Sequence, residues 1–478
     1  MSSALQATLP RPRGALVSQS RWLAPTGLVI LAFTWPVFVF TGSQASYLVS
    51  IAAACCTAVT LAASGSSLVV VYLAGLMALV GPEVNGQLGN GHAPLGSLRL
   101  FDTATATAAF AVLLVAWRSR RTILARWRHP GALAVLSMAA IGYATVRWAM
   151  EGHQVDSFLR TDLRLIILAV LFWLIATGCR RGGTQPILWG VVVVGLLTAA
   201  KAAAIHFSGL YAIGSYDRLQ ATNLYTAGHL RTILVGGDTL MILVPAVAML
   251  LVSATHRQSI RIALVLCALI CLWALGLSAT RTSVLVALGL VLVAVAATLI
   301  LARPHLSRWA LACGLVVTVV ILAVAALGGA ASRLTEAEAP NAGLNFRKDE
   351  INSFLSASAT TKYLGQGLAG RFLGKNINGQ SVLTGWAHEL PVWIALKTAI
   401  YGLLCASLAL AIMFRRTLNA LKRGGDRVQV LAGAIIVLGH VVTSMTLGRL
   451  ALPEGILPLI VGVFLISTAV PTPITSVT

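Results

Sequence analysis

Charge is what this chain has least of. Asp and Glu together number 14 in 478 residues, and charged residues of both signs make up 10%, against about 25% in an average soluble domain. So few charges cannot coat the water-facing surface of so long a chain, which excludes an ordinary soluble globular protein. A Gly-rich phosphate loop ending in Lys-Ser or Lys-Thr is also missing, which excludes a P-loop nucleotide site. The seven cysteines, Cys55, Cys56, Cys179, Cys267, Cys271, Cys313 and Cys405, lie in apolar runs or at their basic edges. None has metal-ligand company, and none is placed for a disulfide framework.

What is abundant is apolar sequence. Hydrophobic residues make up 58% of the chain, and they come in runs long enough to cross a ~30 Å hydrocarbon core. Fourteen such runs are expected as spans: 22–40, 46–64, 67–83, 101–117, 131–149, 163–178, 187–205, 236–253, 260–278, 282–301, 309–329, 387–413, 427–445 and 453–470. The expectation is an all-α, polytopic integral membrane protein. A cytoplasmic tail occupies 1–21, eleven helices fill 22–329, a small helical periplasmic cap is built from 330–386, three helices fill 387–470, and a tail closes at 471–478.

The basic residues sort by side. With the N-terminus in the cytoplasm, one face receives the clusters within 11–21, 118–128, 180–181, 257–261, 303–308 and 415–427, nineteen of the 35 Lys and Arg, against Asp426 as the one acid. The opposite face holds the remaining sixteen bases and thirteen acids. This bias is the one cytoplasmic loops carry, and it places both termini inside. The net charge of +21 is therefore mostly topological, and nucleic acid is not an expected partner because no contiguous soluble domain carries the charge.

On the outer side three connections are long: 84–100, 206–235 and 330–386. The last predicts a short amphipathic helix over 344–364, with Phe346, Ile351, Phe354 and Leu355 among Arg347, Lys348, Asp349 and Glu350, followed by irregular chain at Gly365, Gly367 and Gly370. A loop this long in a tightly stitched chain points to a lid or a functional insertion.

Candidate functional residues cluster on this outer face. Arg281 stands in the turn Leu277-Ser278-Ala279-Thr280-Arg281-Thr282-Ser283, where a guanidinium fork pinned between two spans suits a phosphate oxygen set; the plainer alternative is a snorkelling interfacial arginine. Arg231 opens a span seven residues before Asp238, which lies on the same helix face and needs a partner. Arg218 competes for the same anion-binding role, with Asp217 beside it. At the end of the long loop His388 enters a span in Trp386-Ala387-His388-Glu389-Leu390-Pro391. A neutral imidazole there can accept a hydroxyl proton, or simply bond a loop carbonyl. Glu389 either orients it or faces solvent. Counted at 100° per residue, Ala399 and Gly402 leave a small-residue stripe beneath His388. Lys397 and Lys201 each need an acid or an internal cavity, and His440 reads as a core histidine.

Three stretches together resemble the bacterial O-antigen ligase and O-antigen polymerase superfamily. LSATRTSVLVALGL at 277–290 resembles its serine/arginine turn, KYLGQGLAG at 362–370 its Gly-x-Gly segment late in the large loop, and HELPVWIALKTAIYGLL at 388–404 its histidine segment. That last pattern is written His, then Asn, Ser or Gln, nine residues, Gly, two residues and Gly. Glu389 replaces the second position here and Ala399 the first glycine, while Gly402 keeps the last. The likeness spans roughly 206 to 415.

The resemblance implies a metal-independent inverting membrane glycosyltransferase without cofactors, working at the periplasmic face of the bacterial inner membrane. Its donor would be a polyprenyl-diphosphate-linked glycan and its acceptor a saccharide or glycolipid hydroxyl, with membrane lipids and a chain-length regulator as further candidate partners. His388 would be catalytic; Arg281, Arg231 and Arg218 would bind diphosphate; Glu389 and Asp238 would support them. Exopolysaccharide or O-antigen polymerase is the favoured activity. O-antigen ligase, which attaches glycan to the lipid A core, and a lipid-linked glycan flippase are the alternatives.

Overall fold

The computed structural model of the chain describes residues 44–64, 131–152, 185–208, 238–255, 257–278, 281–301, 339–375, 381–385, 387, 389–423, 426–447 and 453–468. To these it adds 155, 156, 225, 226, 229, 230 and scattered positions within 69–120 and 159–173. Apolar, Gly-poor runs become helices because only a helix pairs every backbone N–H and C=O within its own segment. The described helices are α1 (Gln44–Ser64), α2 (Ala132–Glu151), α3 (Gln185–Ser208), α4 (Asp238–Ala254), α5 (Gln258–Ser278) and α6 (Arg281–Leu301). They continue with α7 (Ala339–Thr360), α8 (Leu390–Lys422), α9 (Arg427–Leu447) and α10 (Pro453–Thr468). Two antiparallel hairpins complete the set, β1 (Tyr225–Thr226) with β2 (His229–Leu230), and β3 (Phe372–Lys375) with β4 (Ser381–Thr384), the latter in register Phe372↔Thr384.

The expected fourteen spans are not what the fold carries. Among the described residues four helices are long and apolar enough to cross a membrane: Ala132–Glu151, Gln258–Leu277, Leu390–Lys422 and Arg427–Met445. Five further apolar segments of 10–17 residues, Ala52–Ala62, Ile187–Ala200, Met241–Ala254, Ser283–Leu299 and Pro458–Thr468, lie within α1, α3, α4, α6 and α10. Hydropathy counts apolar residues and does not separate those that face lipid from those that face protein. The expected spans at 22–40, 67–83, 101–117, 163–178 and 309–329 lie wholly or largely outside the described residues.

Helix α4 shows the difference. From Met241 to Leu251 it is buried on every side, packed by α3, α5, α6, α9 and α10. A helix apolar all round belongs to the centre of a core. The long helices behave otherwise: Ile262, Leu266, Ile270 and Trp273 on α5, and Ile400, Leu404 and Leu408 on α8, leave large apolar side chains exposed at helical spacing. Apolar stripes of that length turned outward associate the chain with a membrane.

A second group of elements stands beside this body. Helices α2 and α8 run antiparallel. At one end a Cβ on Gly131 would stand 3.5 Å from Arg416 Nη2, and further along Tyr143 and Tyr401 stack with ring centroids 5.1 Å apart. The 330–386 excursion is not purely helical. It gives α7, five residues earlier in start and four earlier in end than its apolar pattern predicts, followed by the β3–β4 hairpin. Phe372, Ala387 and Leu396 form a small core against Phe354, Ala357, Val392 and Trp393, which ties the hairpin and α7 to the start of α8.

Candidate functional site

The chain between α7 and β3 does not pass over the surface; it enters the seam between α2 and α8. Helix α7 ends in a Tyr363 N–H bond to the Ser358 carbonyl at 2.8 Å, with Lys362 and Tyr363 both at positive φ. Gly365 at φ 76 and Gly367 at φ 79 then turn the backbone inward. These two positions need glycine for space as well as for φ. A Cβ on Gly365 would lie 2.8 Å from the Ala399 nitrogen, and one on Gly367 would overlap the Trp148 nitrogen and stand 2.5 Å from the Ala144 carbonyl oxygen.

Irregular backbone buried between apolar helices persists only where protein satisfies its polar groups, and here both neighbours do. On the α2 side Leu368 N–H bonds the Ala144 carbonyl at 3.0 Å. Arg147 Nε donates to the Gly365 carbonyl at 3.1 Å, Tyr143 OH donates to the Leu364 carbonyl at 2.9 Å, and Arg147 also pairs with Glu151. On the α8 side Gln366 N–H bonds the Leu396 carbonyl at 2.8 Å and Gly367 N–H the Lys397 carbonyl at 3.0 Å.

Those two carbonyls immediately precede a break in α8. Ala399 sits at φ 54, ψ −148, non-helical and in a region that residues with a Cβ seldom occupy. The phase count that lines Ala399 and Gly402 beneath His388 therefore fails, because it assumes one continuous helix. Strain of this kind persists only when surroundings over-determine it, and the inserted segment lies against it.

Beneath the segment is an ionic joint. Lys397 Nζ donates to Asp162 Oδ2 at 2.7 Å and to the Gly370 carbonyl at 2.9 Å. Ala369 N–H donates to the same Asp162 oxygen at 2.8 Å. Lys397 is 4% and Asp162 7% exposed. Isolated, either charge would be costly in this setting; together with the backbone groups each is satisfied. At the rim Arg371 Nη1 pairs with Asp156 Oδ2 at 2.9 Å and its N–H bonds Gln366 Oε1 at 2.7 Å, while Asp156 Oδ1 caps Leu159 N–H at 3.0 Å.

The residues singled out from the sequence are distributed as follows. Glu389 precedes α8 and forms an ion pair with Arg347 Nε on α7 at 3.6 Å, its side chain 15% exposed; it bridges to the cap and does not face solvent. Arg281 is the first residue of α6 and Asp238 the first of α4. Since α4 and α6 both run antiparallel to α5 through short connections, these two backbone positions share one end of the bundle. His388, Arg231 and Arg218 lie outside the described residues. His440 is fully buried on α9. Lys397 has the acid its burial demands.

Asp162, Asp156, Arg147, Gln366 and Arg371 escaped the sequence reading. Asp162 lies between Arg160 and Arg164 in the sequence, so its neighbours along the chain give no sign that its partner is Lys397. Chemically the joint fixes geometry: Lys397 is held by a carboxylate and a carbonyl. Among the described residues no three His, Cys, Asp or Glu side chains group as metal ligands. The chain has no significant match among protein-family models, curated proteins or solved structures.

Proposed function

We propose that the chain is a membrane glycosyltransferase of the O-antigen ligase and polymerase type, using a polyprenyl-diphosphate-linked glycan as donor. One observation carries this reading. The family's histidine segment has glycine at the position held here by Ala399, and the Ala399 backbone adopts a conformation that suits glycine. The same segment and the Gly-x-Gly segment, two of the three stretches behind the resemblance, are hydrogen-bonded to one another through Gln366, Gly367, Leu396 and Lys397. Short motifs read separately in sequence thus have a shared physical reason.

Sidedness supports the reading as well. Gly131 and Arg416 adjoin, so the basic ends of α2 and α8 share one face, the cytoplasmic one by the Lys/Arg rule. The sixteen steps from Ala399 to Arg415 span roughly 24 Å of helix, most of a ~30 Å hydrocarbon core, which supports a place for the joint near its outer edge. The transfer then takes place at the extracytoplasmic face of a bacterial inner membrane.

In the proposed reaction the acceptor hydroxyl attacks the anomeric carbon from the side opposite the diphosphate. The new glycosidic C–O bond forms as the C–O bond to phosphate breaks, with inversion. His388 takes the hydroxyl proton, Arg281 and Arg231 stabilise the charge gathering on the departing polyprenyl diphosphate, and Arg218 is a further candidate ligand. The bond to diphosphate supplies the driving force. Polymerase is favoured, with another lipid-linked repeat unit as acceptor; ligase chemistry differs only in using a lipid A core sugar.

The test is His388→Ala in purified protein given a synthetic polyprenyl-diphosphate glycan and acceptor. Transfer is expected to fall at least 100-fold, the scale of a lost general base. Parental rates in the variant would remove His388 from the mechanism. A lipid-linked glycan flippase is the second reading, favoured by the discontinuity of α8 next to a buried ion pair, since transporter sites form at broken helices. Movement of the lipid between leaflets of a proteoliposome without glycan transfer would establish it instead.

A further inference from the structure

Between Gly370 and Leu396 lie the β3–β4 hairpin, Ala387 and Glu389, and the start of α8. Both feet of this excursion are fixed at one place. Lys397 Nζ bonds the Gly370 carbonyl, Gln366 N–H bonds the Leu396 carbonyl, and Asp162 Oδ2 accepts from both Lys397 Nζ and Ala369 N–H. The part above the feet is packed as a unit: Phe372 and Ala387 of the excursion share a core with Leu396 and with Phe354 and Ala357 of α7. A shift at the feet therefore moves Phe372 of the hairpin and Ala387 together.

We propose that Lys397 and Asp162 are positioning residues whose ion pair seats the excursion bearing His388 at a fixed place on the broken α8. Neither touches the reacting atoms; both lie beneath the loop. Gly365 and Gly367 fix the register of the segment between α2 and α8, while its far end, at Ala369 and Gly370, is tied down by the ion pair, through Asp162 Oδ2 and Lys397 Nζ. The proposal rests on the glycosyl-transfer reading and adds to it the residues that hold its proton acceptor in place.

The experiment uses the full chain in lipid nanodiscs, with native cysteines replaced by alanine and Leu368→Cys, a site 7% exposed within the inserted segment, as reporter. Three variants are compared with the parent: Lys397→Met, Asp162→Asn and the two combined. In the single variants the reporter is expected to react with a membrane-impermeant maleimide at least tenfold faster. The double variant leaves no charge unpaired, so its thermal stability returns close to the parental value while kcat stays at least tenfold down and KM changes less than twofold. It also carries the test if a single variant does not fold. Unchanged labelling in the single variants, or parental kcat in the double, overturns the proposal. A parent with the expected labelling and no transfer activity overturns the glycosyl-transfer reading itself, and with it the positioning role, while unchanged labelling in an active parent sinks the positioning role alone.

Discussion

At Gly367 the backbone turns at φ 79 with the Trp148 nitrogen and the Ala144 carbonyl where a Cβ would be. Both obstacles are main chain of α2, which has no rotamer by which to yield. Gly367→Ala is therefore expected to cost about 3 kcal/mol or more, the scale of steric insertion combined with a disfavoured φ. Thermal unfolding in detergent would read this as a clear fall in apparent Tm; an unchanged Tm would mean that the segment is not inserted between α2 and α8. The neighbouring charges matter at the same scale. Lys397 and Asp162 owe their tolerance to each other and to two backbone groups, and that is why one residue identity here governs the placement of a whole loop.

Helix α8 is two helices meeting at Ala399, and the join stores strain. Holding an alanine at φ 54, ψ −148 costs about 1–3 kcal/mol, while glycine adds about 1 kcal/mol or less through its freer unfolded chain. Ala399→Gly should leave apparent Tm unchanged or raise it, and Ala399→Val should lower it. A fall in the glycine variant would indicate a regular helix at this position. The other long helices need no such device. Helices α9 and α10 approach closely instead, with Gly433 against the Gly462 carbonyl oxygen and Gln429 Nε2 donating to the Leu465 carbonyl at 2.6 Å. Small residues at a crossing are the usual means of close packing in lipid.

Across the whole molecule, a buried body around α4 adjoins a joint made by α2, α8 and the inserted segment. The proposed sidedness has a direct consequence. Ser356 on α7 and Lys422 at the end of α8 are both exposed, and the reading puts them on opposite faces. In intact spheroplasts Ser356→Cys should react with an impermeant maleimide, and Lys422→Cys should react only after permeabilisation, each against the cysteine-free chain. The reverse pattern would turn the molecule over and move the proposed chemistry to the cytoplasmic side.

The amino-acid sequence by itself determined the character of the chain: apolar helices, a helix in the long excursion and irregular chain at Gly365, Gly367 and Gly370. These are local properties, written in composition, 3.6-residue periodicity and the backbone freedom of glycine. It did not determine how many runs span, because hydropathy does not tell burial in a core from exposure to lipid, as α4 shows. Nor did it reveal that Lys397 faces Asp162 across 235 positions, or that α8 breaks at an alanine. Those were decided by tertiary structure alone, since a buried charge finds its partner, and a strained residue its support, only when distant segments are packed against each other.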